Sequence, residues 1–257
     1  AQSAGGVLEF AGEVRARTES RLGFRVGGKI VRRQVELGDA VKGGQVLAQP
    51  GQKVADLTAQ LAAVSGAPLG DQDLVLVLVG MHDILEIYGR YPNESAASLI
   101  EVARSRARVY GEAINALAQS GPAVVVLTVP DLGLTPFARA QNTSSGDTNR
   151  STVLSQLTDA FNSRMSVTLI NDGRLIGLIF ADIETQNMFR FPGNFGLSNV
   201  LDAACLAAAA LPDCRTNTLA TGATSTNYMW ADDLRPGPAE QSRLGSLAEF
   251  RAKNNPF

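Results

Sequence analysis

Alternating helix-like and strand-like segments from residue 54 onward predict an α/β fold in three layers, with helices on both faces of a parallel sheet and a small β-rich segment in front. Three observations carry this reading. Residues 74–79 form a continuous apolar run with the length and composition of a strand buried on both faces, and the largely apolar runs 124–129 and 175–180 read as two further strands. Longer stretches between them repeat apolar residues at helical spacing. Residues 1–53 read differently, as β-branched segments between Gly27-Gly28, Gly38-Asp39 and Gly43-Gly44, ended by Pro50-Gly51. The chain therefore divides into a β-rich segment, 1–53, and an α/β domain, 54–257.

The elements follow in order. Val54, Leu57, Leu61 and Val64 predict a helix over 54–64, and 74–79 is the first buried strand. Residues 96–119 predict a long amphipathic helix with Ser95 as N-cap. Leu99, Val102, Ala103, Val109, Tyr110, Ala113 and Leu117 line one side of it, and Arg106 interrupts the stripe. A second strand at 124–129 ends at Pro130, a helix covers 152–167, and 175–180 is the third strand. The polar stretch 141–151, with Ser144-Ser145-Gly146, reads as a linker loop. Open parallel sheets bind ligands outside the carboxyl ends of their strands. That points to Gly80-Met81-His82-Asp83, Pro130-Asp-Leu-Gly133 and Ala181-Asp182 as candidate site loops.

Composition narrows the chemistry. Among 257 residues, 45% are apolar and 19% charged, as in globular proteins. The 23 basic and 25 acidic side chains leave a net charge of -2, so no basic surface advertises nucleic acid. One histidine, His82, and two cysteines, Cys205 and Cys214, exclude a His-rich metal site, a Cys₄ zinc site and a Cys-x-x-Cys redox pair; neither metal nor cofactor is expected. No apolar run reaches the ~18 residues of a transmembrane helix. No charged and apolar leader opens the chain, so a signal peptide is expected to be absent or already removed. Spacing alone leaves the cysteines open between a bridge and two buried thiols.

Gly80-Met81-His82-Asp83, directly after a buried strand, resembles the Gly-x-Asn-Asp block of SGNH/GDSL lipases and esterases. Further blocks follow in order: Leu127-Thr-Val-Pro-Asp-Leu-Gly-Leu-Thr-Pro136, Phe161-Asn162, Phe191-Pro-Gly-Asn-Phe-Gly-Leu-Ser-Asn199, and Tyr228-Met-Trp-Ala-Asp-Asp-Leu-Arg-Pro236, which is similar to the family's Asp-x-x-His-Pro. The resemblance spans residues 54 to about 250 and implies hydrolysis of short acyl esters. It also implies a secreted or periplasmic location and a disulfide at Cys205 and Cys214. In the family, a Ser attacks the ester, Gly and Asn donate to the oxyanion, and Asp-x-x-His supplies base and orienter. Here Asp232 stands at the Asp position, Arg235 at the His position and His82 at the Asn position, and no Gly-Asp-Ser-Leu block exists. Arg cannot act as a general base near neutral pH. Gly80 remains an oxyanion candidate.

The front explains the missing Ser. Val14-Arg-Ala-Arg-Thr-Glu-Ser-Arg-Leu-Gly-Phe-Arg-Val-Gly-Gly-Lys-Ile30 and Val35-Glu-Leu-Gly-Asp-Ala-Val-Lys-Gly-Gly-Gln-Val-Leu47 resemble the lipoyl-like half-motif of periplasmic adaptor subunits of efflux pumps. The stretch from Gly23 to Ile30 is also similar to the esterase block Asn-x-Ala-x-Gly-Gly-Ala, which would make Gly27 or Gly28 an oxyanion donor. Ser20 in Glu19-Ser20-Arg21-Leu22 is the nearest imitation of the nucleophile block, and Lys53 lies near a lipoyl-type lysine.

The expected function is accordingly an SGNH/GDSL-like ester hydrolase with weak or non-standard catalysis, His82 acting with Asp232 or Asp83. The alternative is an inactive relative that serves as a binding or structural module. Simpler roles compete at each site: His82 as a loop hydrogen-bonder, Asp83 as cap of a helix from Ile84, and Asp232 with Arg235 as an ion pair of ~0.5 kcal/mol. The expected partner is a small ester or lipid. Without its Ser-bearing strand the sheet would expose an edge at 74–79, to be covered by strands from 5–48 or by a second copy of the chain.

Overall fold

Three short parallel strands make the centre of the structure, a computed structural model that describes residues 53–57, 71, 73–209 and 214–257. They are β1 (Leu74–Val77), β2 (Ala123–Leu127) and β3 (Ile176–Ile179), in that spatial order. Leu74 lies opposite Ala123, and Val124 opposite Ile176. The α-helices described over their whole length are α1 (Met81–Tyr88), α2 (Ala96–Gln119), α3 (Pro136–Ser145), α4 (Arg150–Thr168), α5 (Ala181–Arg190) and α6 (Pro238–Asn254). A second parallel pair, β4 (Asn199–Ala203) and β5 (Tyr228–Trp230), stands apart from the sheet.

Strand alternation sends successive side chains to opposite layers. Val75, Val77, Val124 and Val126 pack with Leu99, Tyr110 and Ile114 of α2 and Leu154, Leu157 and Phe161 of α4. Val125, Leu127 and Ile179 pack on the other face with Leu244 and Ala248 of α6. The predicted three-layer α/β arrangement is therefore present. Met188, Leu197, Met229 and Trp230 form a third cluster, and the Trp230 indole N–H donates to Val200 O at 2.9 Å.

Several expectations need correction. β1 is not buried on both faces: Leu74 is 39% exposed, and among the described residues β1 pairs only with β2. In α2, Ser95 Oγ does accept the Ser98 N–H, but Val109 faces solvent, because the buried stripe runs through Leu99, Ala103, Ala107, Tyr110 and Ile114. The supposed loop 141–151 is largely helix. Thr135 Oγ1 caps Ala138 N–H, Pro136 opens α3, and Gly146 ends it with a left-handed φ of 68°. Ala181 and Asp182 are the first turn of α5, not a loop. Residues 54–57 are helical with Val54 and Leu57 buried, whereas Leu61, Val64, Ser20, Gly27, Gly28 and the predicted strands of 5–48 lie outside the described residues.

The carboxyl end of β2 is closed by one side chain. Asn162, buried on α4, accepts the Val129 N–H at 2.9 Å and donates to Val129 O at 2.8 Å. Both polar groups sit where water cannot replace the amide, and each orphaned buried group costs about 1–3 kcal/mol. We predict that Asn162→Leu lowers the unfolding free energy by about 3 kcal/mol. Urea denaturation checks this, and a loss below about 0.5 kcal/mol would remove the clamp's assigned role.

Candidate functional site

β1 runs out through Val79 into Gly80, whose φ of 122° lies in the region that only glycine adopts freely. A Cβ there would sit 2.6 Å from the Phe161 ring and 2.9 Å from Val129. This glycine turn starts α1 at Met81, three residues earlier than expected. No side chain caps α1, so its first-turn N–H groups keep their partial positive charge at the carboxyl edge of the sheet.

His82 belongs to that first turn. It is half-buried, and its ring forms no hydrogen bond among the described residues. Burial pushes its pKa below the ordinary 6.5, and the nearby Arg235 cation pushes the same way; Asp83 opposes and Lys53 adds a little to the depression. The imidazole is therefore neutral at pH 7.

Asp83 does not cap its own helix. Its carboxylate, 2% exposed, accepts the Val54 N–H at 2.9 Å and faces Arg106 Nη1 at 3.3 Å, tying the 54–57 turn and α2 to α1. Burial raises the Asp83 pKa, while the Val54 N–H and Arg106 hold it down. Arg106 also grips Glu86 with two bonds of 3.1 and 3.0 Å, and Lys53 reaches Glu86 at 2.7 Å. Those hydrogen bonds, to Arg106 first and Lys53 second, hold the Glu86 carboxyl at about 2. Lys53 thus acts here as an ion-pair partner.

Asp232 is occupied within its own turn. Oδ1 accepts the Leu234 and Arg235 N–H groups at 3.0 and 2.7 Å, and Oδ2 takes Arg235 Nη1 at 2.6 Å. The ion pair read from the i, i+3 spacing is present. Asp232 has no hydrogen bond to His82, so the base-and-orienter pairing implied by the resemblance is not assembled. Gly80, His82 and Asp83 lie together at the start of α1 and the Arg235 charge acts on His82, while Asp232 is held to Arg235 and makes no hydrogen bond to the imidazole. Cys205 and Cys214 form a disulfide with a Cα–Cα distance of 5.7 Å, which resolves the open alternative in favour of a bridge.

Two residues, Arg106 and Asp131 of the candidate loop 130–133, hold roles that the sequence did not assign. Arg106 was visible only as a break in an apolar stripe, and that break was the signal. Asp131, 6% exposed, accepts the Gly133 N–H at 3.0 Å, the Ser155 hydroxyl at 2.7 Å and Gln186 Nε2 at 3.0 Å. It joins the β2 exit to α4 and α5. Beside the Asp232 turn lies a groove of about 490 Å³, lined by Pro136, Arg139, Asn142, Leu201, Asp202 and Asp233. Its wall is fixed in part by the Phe137 N–H, which donates to Asp233 O at 2.9 Å.

Among the described residues no cluster of three His, Cys, Asp or Glu side chains is placed to hold a metal, and no helix is long and apolar enough to cross a membrane. Neither family models nor curated proteins give a match to this chain.

Gly80→Ala combines a positive φ with a clash against Phe161 and Val129. It is expected to destabilise the fold by more than about 1 kcal/mol in denaturant titration. A variant of wild-type stability would show that the turn is not constrained in this way.

Proposed function

We propose that this protein is a slow carboxylic ester hydrolase on an SGNH/GDSL-like scaffold, acting on short acyl esters at the carboxyl edge of the sheet. One observation carries the reading: the half-buried His82 imidazole, without a hydrogen bond among the described residues, stands at the uncapped start of a helix, and burial and the Arg235 charge depress its pKa. His82 accepts a proton from water as the water oxygen attacks the ester carbonyl. The first-turn N–H groups of α1 and the Arg235 guanidinium stabilise the oxyanion as it forms. The intermediate then collapses, the C–O bond to the leaving alcohol breaks, and the imidazolium returns the proton to that alkoxide. Acid and alcohol result.

With no Ser–His–Asp assembly among the described residues, the rate enhancement expected is only the ~10³–10⁴-fold that an oxyanion site and binding alone supply. The Cys205–Cys214 disulfide supports a secreted or periplasmic setting, where such bridges persist. The partner is a small ester or lipid, and nucleic acid is not among the ligands. The edge of β1, unpaired among the described residues, is the surface on which strands from 5–48 or a second copy would add.

A second reading, an inactive ester-binding protein, is favoured by the engagement of both Asp232 oxygens in their own turn, which leaves His82 without an orienting carboxylate. Hydrolysis of p-nitrophenyl acetate separates the two. We expect a rate above buffer that falls at least tenfold in His82→Ala. The pH profile should reach its plateau with a midpoint below 6.5, because the His82 pKa is depressed. A rate unchanged by His82→Ala overturns the hydrolase reading.

A further inference from the structure

Glu240 is wholly buried, in the first turn of α6, and has no place in the hydrolytic scheme. Its Oε1 lies 2.6 Å from Thr185 Oγ1, which is itself fully buried on α5 and stands 2.8 Å from Ala181 O. Its Oε2 has no hydrogen-bond partner. A threonine hydroxyl carries one proton, and Ala181 O and a carboxylate both only accept. An ionised Glu240 would therefore leave one of these two short contacts without a hydrogen. A protonated Glu240 satisfies both, donating to Thr185 Oγ1 while Thr185 donates to Ala181 O.

The surroundings favour the same protonated state. α6 packs against β2, β3, β5 and α5. β2 and β3 bring no charged side chain, and β5 brings only Tyr228 as a titratable group. From α5 come Asp182, which accepts from Thr128 Oγ1 at 2.6 Å, the terminal Arg190, and Glu184, whose negative charge disfavours ionisation of Glu240. The nearest cation along α6, Arg243, is paired with Glu184. The pull towards a carboxylate comes from the Thr185 hydroxyl and from the amino end of α6. Burial outweighs it and raises the Glu240 pKa to about 7.

We infer that Glu240 and Thr185 form a proton-operated latch: the protonated carboxyl locks the start of α6 onto α5, and loss of the proton loosens this junction together with the Asp232–Arg235 turn that leads into α6. Only Pro236 and Gly237 separate that turn from α6, and the Gly237 N–H is anchored on Met229 O at 2.6 Å. Strain at the latch has a short path to Arg235. The inference stands whether or not the protein hydrolyses esters.

Linkage fixes the sign. Between pH 4.5 and about 7 the unfolded chain has released this proton and the folded chain has kept it, so stability falls as pH rises through that window and this group changes it no further above it. Glu240→Gln mimics the protonated form and should lack this component. The test is denaturant unfolding of the full chain and of Glu240→Gln from pH 4.5 to 8. The ratio of their unfolding constants is expected to change roughly a hundredfold across the range, the wild type losing ground as pH rises. Amide exchange of residues 181–190 and 238–244, corrected for intrinsic rate, should quicken in the wild type alone. Parallel stability profiles overturn the latch.

If Glu240→Gln does not fold, infrared difference spectroscopy of the wild type decides. A protonated-carboxyl band that persists at pH 6, survives Asp83→Asn and titrates away near pH 7 supports the latch. Absence of that band at pH 6 overturns it.

Discussion

The exit of β2 depends on the bidentate grip of Asn162 on Val129, and the positions of the surrounding loops follow from it. Phe161, the preceding residue on α4, fills the space beside the strand ends, and together with Val129 it leaves no room for a Cβ at residue 80. One pair of adjacent residues on one helix thus sets both the end of the central strand and the glycine turn that begins α1. The direction of α1, and with it the place of His82, is a consequence of core packing. Because this junction is buried, an orphaned polar group there would go unpaired, which makes the geometry specific as well as stable.

Charge then organises what packing has placed. Asp83 is buried and faces a backbone N–H and Arg106, so it acts as a joint between α1, α2 and the 54–57 turn. Asp232 does the same for the turn before α6, holding two N–H groups and the Arg235 guanidinium. Neither carboxylate is free to orient an imidazole. His82 is consequently left neutral, beside a cation that disfavours its protonation, at a helix start that favours negative charge. Such a group can take a proton from water, although nothing holds its ring in a chosen tautomer.

Legibility in the sequence followed burial. Residues 124–127 read correctly as a strand because β2 is covered on both faces, whereas at 74–77 the same composition goes with a strand that holds Leu74 in solvent and pairs, among the described residues, with β2 alone. The helix 96–119 was readable to its cap. α3 was missed although Thr135, Pro136 and Gly146 mark its ends, because its polar body shows no apolar stripe. β4 escaped for a related reason: it is half-exposed and has no alternation. At the site, Gly80 and the Asp232–Arg235 pair could be read from local spacing. The Arg106–Asp83 contact and the Thr185–Glu240 pair could not, because each joins residues 23 and 55 positions apart through tertiary packing alone.

The account turns on the state of one side chain, and the chain holds a single histidine, so its signal is free of overlap. An NMR titration of the His82 imidazole tests it directly. The account predicts a midpoint below 6.5 and a neutral ring at pH 7. A midpoint raised above 6.5, as a carboxylate-paired imidazolium would give, would contradict both the isolation of His82 from Asp232 and its role as the base.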